Sequence, residues 1–275
     1  MTLQSLKYRA TTPEGRQQTR EDFRIFFQLV ENDLKSRYSG SAFGIVWAYI
    51  QPLVTILVFW YVYQVGFRNA PVNNVEFILW FIAAFIPWTY YSDGTVTAAN
   101  VMYEYSYLVK KMRFRVWQLP IIKVFSSLRI HLFFLIFMFG MYMLYGHTPR
   151  PAWINTFYYT FYISVILVGN AFLLSSLTVF IKDAGQLVNV IMQIGFWLTP
   201  IFWSESTMSP NVLKVLKLNP MYYATTGYRH AMIDDLWFWQ RPWTETLYYW
   251  GAACVILLIG AAVYRHLREH FTDLL

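Results

Sequence analysis

From residue 38 to residue 67 the chain runs for thirty residues without an Asp, Glu, Lys or Arg. A helix rises about 1.5 Å per residue and a bilayer's hydrocarbon core is about 30 Å thick, so about 20 apolar residues cross it. The run exceeds that length, which predicts a tilted span or one whose ends reach the headgroups. Charge-poor runs follow at 77–92 (continuing past Asp93 to about residue 99), 130–149, 151–181, 184–204 and 246–264. Pro87 predicts a kink, tolerable in lipid where neighbouring helices re-satisfy freed backbone groups. The pattern predicts an all-α membrane protein with six transmembrane helices, at about residues 42–67, 77–99, 121–146, 153–181, 185–204 and 245–265.

Residues 1–19 are polar and expected to be a flexible N-terminal segment before residues 20–37, where Phe23, Phe26, Phe27, Val30 and Leu34 recur at helical spacing. Glu21, Arg24, Gln28, Glu31, Asn32 and Lys35 take the other faces. An amphipathic helix this charged cannot cross, so it is expected to lie in the interface. Ser39-Gly40-Ser41 then breaks the pattern, and no cleavable signal peptide is visible.

Two connections are more than loops. Residues 101–119 combine Tyr103, Tyr105 and Tyr107 with the basic, apolar string LVKKMRFRVW. Periodicity alone fits a docking surface and an interfacial anchor equally. Residues 205–241 hold two short apolar pieces, 212–218 and 221–233, bounded by Pro210, Pro220 and Pro242. Pieces this short read as re-entrant or interfacial helices, and backbone at membrane depth must be covered by protein or line a cavity.

Composition and charge set the orientation. The 275 residues are 57% hydrophobic and 13% charged, against about 25% charged in a soluble domain. The +7 net charge would suggest nucleic acid in a soluble protein; here it fits loops held at an anionic leaflet, with no nucleic acid partner. Fourteen Lys and Arg lie before span one, between spans two and three or four and five, and in the tail. Six lie on the other side: Arg68, Arg150, Lys214, Lys217, Arg229 and Arg241. The positive-inside rule therefore places both termini in the cytoplasm. Lys123 and Arg129 are expected to snorkel from the inner end of span three.

Catalytic chemistry is thin. None of the thirteen glycines precedes a lysine, so the phosphate-cradling spacing G-x-x-x-x-G-K-[ST] is absent. Cys254 is the only cysteine and the five histidines are scattered, which leaves no metal or cofactor motif in the chain. Asp93 falls near the inner boundary of span two, where it could pair with Lys123 or Arg129, and nothing resembles a proton wire.

Aromatics carry more. On a helical wheel Tyr49, Ile56, Trp60, Tyr63 and Phe67 form one stripe of span one, with Trp47 near its start; Tyr90 and Tyr91 stand on span two. Trp and Tyr at span ends are commonly interfacial belts. Such rings also offer apolar faces and polar tips suited to sugars, so a path lined this way could slide a polymer without gripping any unit.

The string LKSRYSGSAFGIVWAYIQPL resembles the first span of the membrane subunits of type-2 ABC exporters for cell-surface polysaccharides, the O-antigen, wall teichoic acid and capsular polysaccharide family. LVKKMRFRVWQLPI resembles that family's cytoplasmic segment, FWLTPIFWS its fifth-span motif and LNPMYYATTGYRHAM its outer helix. Where the family has Phe-Pro after the basic cluster, this chain has Phe114-Arg115. The resemblance implies a homodimer enclosing a path for an undecaprenyl-linked polymer. It implies that two copies of a separate P-loop ATPase subunit bind the ATP and Mg. Tyr103, Tyr107, Leu108, Lys110, Lys111 and Arg113 would then belong to a coupling helix on that ATPase. Arg37 and Tyr38 would guide the lipid pyrophosphate, since Arg pairs bidentately with phosphate. Pro200, Phe202, Tyr222, Tyr223 and Arg229 would form an outer gate, with Arg229 near the head group or against Asp234.

The expected protein is a non-catalytic permease in the cytoplasmic membrane exporting O-antigen or wall teichoic acid. A capsular exporter with another lipid anchor is the nearest alternative. A membrane-embedded transferase would need paired loop carboxylates, and Asp234-Asp235 is the sole acidic pair in the connections between spans. An ion-coupled carrier would need midplane charges.

Overall fold

The computed structural model of the chain describes residues 13–66, 75–109 and 116–274. The described residues are helical with short connections, and they divide into two compact units, Met1–Trp47 and Ala48–Leu275.

In the first unit, α1 (Pro13–Arg37) carries Lys35 on Glu31 at 2.7 Å and Arg37 on Asp33 at 3.1 Å, both one turn apart. Its apolar positions divide: Val30 and Leu34 are buried, while Phe23, Ile25 and Phe27 are exposed. Two basic residues in the last turn complement the negative end of the helix dipole. A turn and a short 3-10 segment (Gly44–Val46) follow.

The second unit contains all but the first residue of α2 (Trp47–Trp60), then α3 (Phe77–Ala99), α4 (Gln118–Leu144), α5 (Asn155–Phe180), α6 (Ala184–Leu198), α7 (Pro210–Leu216), α8 (Pro220–Met232) and α9 (Trp243–Leu267). Helix α3 is its axis. Seventeen of its 23 residues are buried, and α4, α5, α6 and α8 all pack against it.

Among the described residues four helical segments are long and apolar enough to cross a membrane: Gly44–Gly66, Gln118–Leu144, Pro151–Phe180 and Trp243–His270. Helix α3 has the length but not the apolarity, because Thr89, Tyr90, Tyr91, Ser92 and Asp93 occupy its second half. A helix enclosed by protein has little need of a lipid-facing surface, and buried polar groups there find partners. Helix α6 has 15 residues. The first and last apolar segments are only 11% and 17% buried, against 50% for the two between them. Their apolar sides, such as Val54, Leu57 and Val58, thus face outward, where lipid or another protein must cover them.

Helices α5 and α9 meet through Gly169 and Gly260. A Cβ at Gly169 would sit 2.8 Å from the Leu257 backbone, and one at Gly260 would strike the Gly169 carbonyl. Between helices in lipid, such small-residue contacts replace the hydrophobic effect as the source of attraction.

Candidate functional site

At the end of α3 the chain turns through two short helices, Val101–Glu104 and Ser106–Val109. Tyr103 donates its hydroxyl to the carbonyls of Thr178 (3.1 Å) and Val179 (3.4 Å) at the end of α5. Thr178 returns a 2.6 Å bond to the Ala99 carbonyl. Glu104 pairs with Lys123 of α4, whose ammonium also lies 5.4 Å from the Tyr105 ring centre. Lys123 therefore does not snorkel: it is buried and meets a carboxylate, as an enclosed cation must. Asp93 accepts a hydrogen bond from Ser127 on the same side of α4. Tyr107 is exposed, and Leu108 lies in the second short helix. Lys110, Lys111 and Arg113 lie outside the described residues, as do Arg68, Met112, Phe114, Arg115 and Phe67.

Helix α8 sits beside the first half of α3 and of α5. Asn219 caps it, accepting from the Met221 amide at 3.0 Å and donating to Thr199 at 2.9 Å. Arg229 spreads over the Trp80 ring at 3.4 Å and donates to the Trp80 carbonyl (3.2 Å) and the Ile201 carbonyl (2.8 Å). One guanidinium thus clamps α8, α3 and the turn after α6. Tyr222 donates to Glu205, and Tyr223 shares hydrogen bonds with Tyr158 (3.1 Å) and Thr246 (3.2 Å). Arg241 lies 4.3 Å from the Tyr223 ring centre and donates to its carbonyl at 2.9 Å. Pro200, Phe202, Tyr222, Tyr223 and Arg229 accordingly all belong to α8 or the turn packed on it.

Charge-assisted hydrogen bonds contribute about 1.5–3 kcal/mol each and a desolvated cation–π contact about 2. Arg229→Ala is therefore expected to cost at least about 3 kcal/mol, read as a lowered thermal midpoint in detergent. Arg229→Lys should recover less than half, because a point charge cannot both stack and bridge two carbonyls. A wild-type midpoint in Arg229→Ala would contradict the clamp.

The aromatic candidates do not share one wall. Tyr63 stacks on Phe77 (4.8 Å) and on Phe202 (5.8 Å), which also meets Phe59, Phe81 and Trp197. Trp60 instead lines an apolar cavity of about 360 Å³ with Leu53, Ile78, Phe137 and Met141, its indole nitrogen buried without a partner. Tyr49 meets Phe133 at 4.6 Å. The helix becomes a π-helix over Tyr61–Gly66, and a wheel drawn at 3.6 residues per turn fails there. Tyr90 is buried, bonded to Ser164 at 2.8 Å and stacked on His131. Tyr91 accepts from Asn170 at 3.1 Å and borders a cavity of about 300 Å³ with Trp88 and Asn219.

His131 is a residue that spacing did not single out. Its Nε2 lies 3.1 Å from the Thr160 hydroxyl and 2.9 Å from the Tyr228 hydroxyl, joining α4, α5 and α8 in one buried network. An uncharged run gives no sign of which polar residues will meet.

In the first unit, Arg37 holds Asp33 through Nε and Nη2, so its fork is committed in part to its own helix. Tyr38 follows it. Trp47 is half-exposed and meets Phe43 edge-on at 5.7 Å. Among the described residues no group of three His, Cys, Asp or Glu is placed to hold a metal ion.

A polar cavity of about 260 Å³ opens between α8 and the turn at Ser204–Ser206, bordered by Trp80, Pro200 and Arg229. Burial, then the Arg241 guanidinium, push the His230 imidazole down to about 4. At Glu205 burial raises the carboxyl, but the Tyr222 hydrogen bond and the Lys217 ammonium outweigh it and the net direction is down. Groups with depressed values in the fold contribute stability that is full above their unfolded values and fades as pH falls. Stability should therefore hold above the ordinary imidazole value of about 6.5 and decline toward pH 4, with the Glu205 contribution fading below its ordinary 4.5. Thermal midpoints across that range measure the decline, and His230→Gln should flatten its upper part. An unchanged slope in that variant would contradict the burial of a neutral imidazole.

A family model described as ABC-2 type transporter matches residues 24–233. The chain is similar to the O-antigen export system permease protein RfbA of Myxococcus xanthus, 26% identical over 258 residues, covering 90% of this chain and 94% of the relative. Two proteins of that name from Klebsiella pneumoniae are 21% identical over 261 residues and 20% identical over 262, each match covering 92% of this chain and 95% of the relative.

Proposed function

The chain belongs to the ABC-2 type transporter family, and from that premise we propose that it is the membrane permease of an ATP-driven exporter of undecaprenyl-linked O-antigen. The observation that carries this reading is end-to-end similarity to proteins named as O-antigen export permeases. The missing phosphate loop supports ATP and Mg being bound by a separate P-loop ATPase, present in two copies. The outward apolar sides of the Gly44–Gly66 and Trp243–His270 segments support a homodimer set in membrane lipid. We take α3 and α6 as the remaining two of six spans: α3 is shielded by its neighbours, and α6 gains length from the apolar turn after it. The basic residues of the loops support a cytoplasmic-membrane location with both termini inside.

In this reading the segment from Val101, anchored through Tyr103 and Glu104, is the coupling helix on the ATPase. Helix α8 with its arginine clamp is the outer gate. Arg37 and Tyr38 meet the lipid pyrophosphate at the cytoplasmic interface, and Tyr63 with Phe202 borders the polymer path.

Deleting the chain from its host tests the reading. Lipid-linked polymer should then accumulate on the cytoplasmic face and vanish from the cell surface, both restored by the wild-type chain. Unchanged surface polymer would refute it.

A further inference from the structure

We propose that the polar cavity between α8 and the Ser204–Ser206 turn is a binding subsite for one neutral glycosyl unit of the exported polymer, an inference that rests on the permease reading. The cavity measures about 260 Å³. At about 30 Å³ per water this is the space of roughly nine waters, room for a ligand the size of one sugar ring.

The lining decides the ligand's charge. Glu205 and Asp234 present carboxylates, Arg229 a guanidinium, and Ser204, Ser206 and His230 neutral polar groups. Among the described residues Arg229 makes no ion pair: its Nε and Nη2 go to carbonyls. Lys217 stands 3.3 Å from Glu205 and offsets it, so the formal charges around the cavity cancel. An anion would face two carboxylates, and a cation would face the guanidinium. A ligand carrying hydroxyls, each both donor and acceptor, matches such a mixed lining.

Access agrees. The Glu205 and Asp234 side chains are 46% and 39% exposed, so the rim is open to solvent. The Trp80 face is already covered by Arg229, so recognition here is by hydrogen bonds and not by ring stacking. A solvated, hydrogen-bonded unit is held weakly and released readily, as a passing polymer requires.

The test uses the full chain in lipid nanodiscs and saturation-transfer NMR, with glucose, galactose, mannose and N-acetylglucosamine as separate probes. Transfer to at least one sugar is expected, undiminished by equimolar inorganic phosphate. It should fall at least fivefold in Ser206→Trp, which fills the space from an exposed loop position. Glu205→Gln with Asp234→Asn, which keeps the volume, should lower it likewise. No transfer from the wild type, equal transfer from Ser206→Trp, or displacement by phosphate would each overturn the subsite. Export is scored separately in cells: export without sugar transfer rejects the subsite and leaves the permease reading standing. Sugar transfer with no export by the wild type rejects the permease reading, and with it the assignment of this ligand to an exported polymer.

Discussion

Gly260→Val should prevent the bundle from assembling, with folded protein recovered from membranes falling at least tenfold. The added Cβ would meet the Gly169 carbonyl, and Gly169 itself faces the Leu257 backbone at 2.8 Å. Overpacking usually costs about 1–3 kcal/mol because side chains and backbone shift to absorb it. Here backbone meets backbone, and no rotamer change gives relief. The helices must separate, and in lipid the dispersion lost along α5 and α9 is not replaced by a hydrophobic gain. Gly251→Val is the control on the same helix, since nothing lies within 4 Å of a Cβ there. Equal yields from the two variants would mean that α5 and α9 do not touch at Gly169 and Gly260.

Glu104→Ala should destabilise the chain by about 1.5–3 kcal/mol, the contribution of a hydrogen bond between charged groups, and should separate ATP hydrolysis from export. Lys123 is 1% exposed at its side chain and Glu104 46%, so the cost lies with the cation left behind in the bundle. The double variant Glu104→Gln with Lys123→Met removes both charges and should recover most of the stability, as neutral replacements of buried pairs often do. It should not recover export, because the short helix would no longer be tied to α4 by an ion pair. Restored export in the double variant would show that the pair serves folding alone.

What could be read from the sequence followed what each residue faces. Thirty uncharged residues declare a span wherever they sit, and the bounding prolines Pro210 and Pro220 mark where the two short helices α7 and α8 begin. Helix α3 was less plain by hydropathy, since a helix sheathed by four others can carry Ser92 and Asp93. The aromatic stripe of α2 was drawn on a regular wheel, which the π-helical turn at Tyr61–Gly66 breaks, parting Trp60 from Tyr63. Lys123 resembles any snorkelling lysine until Glu104, nineteen residues earlier, is brought beside it. Arg229, with neighbours 149 and 28 residues distant, and the His131 network belong to the same class. Long-range polar pairing leaves no periodic trace.

The most direct measurement is ATP hydrolysis and polymer translocation by the purified chain in proteoliposomes, alone and with a P-loop ATPase subunit. Neither activity is expected from the chain alone, and both are expected when the ATPase is added. Nucleotide hydrolysis or polymer movement by the unaccompanied chain would contradict it.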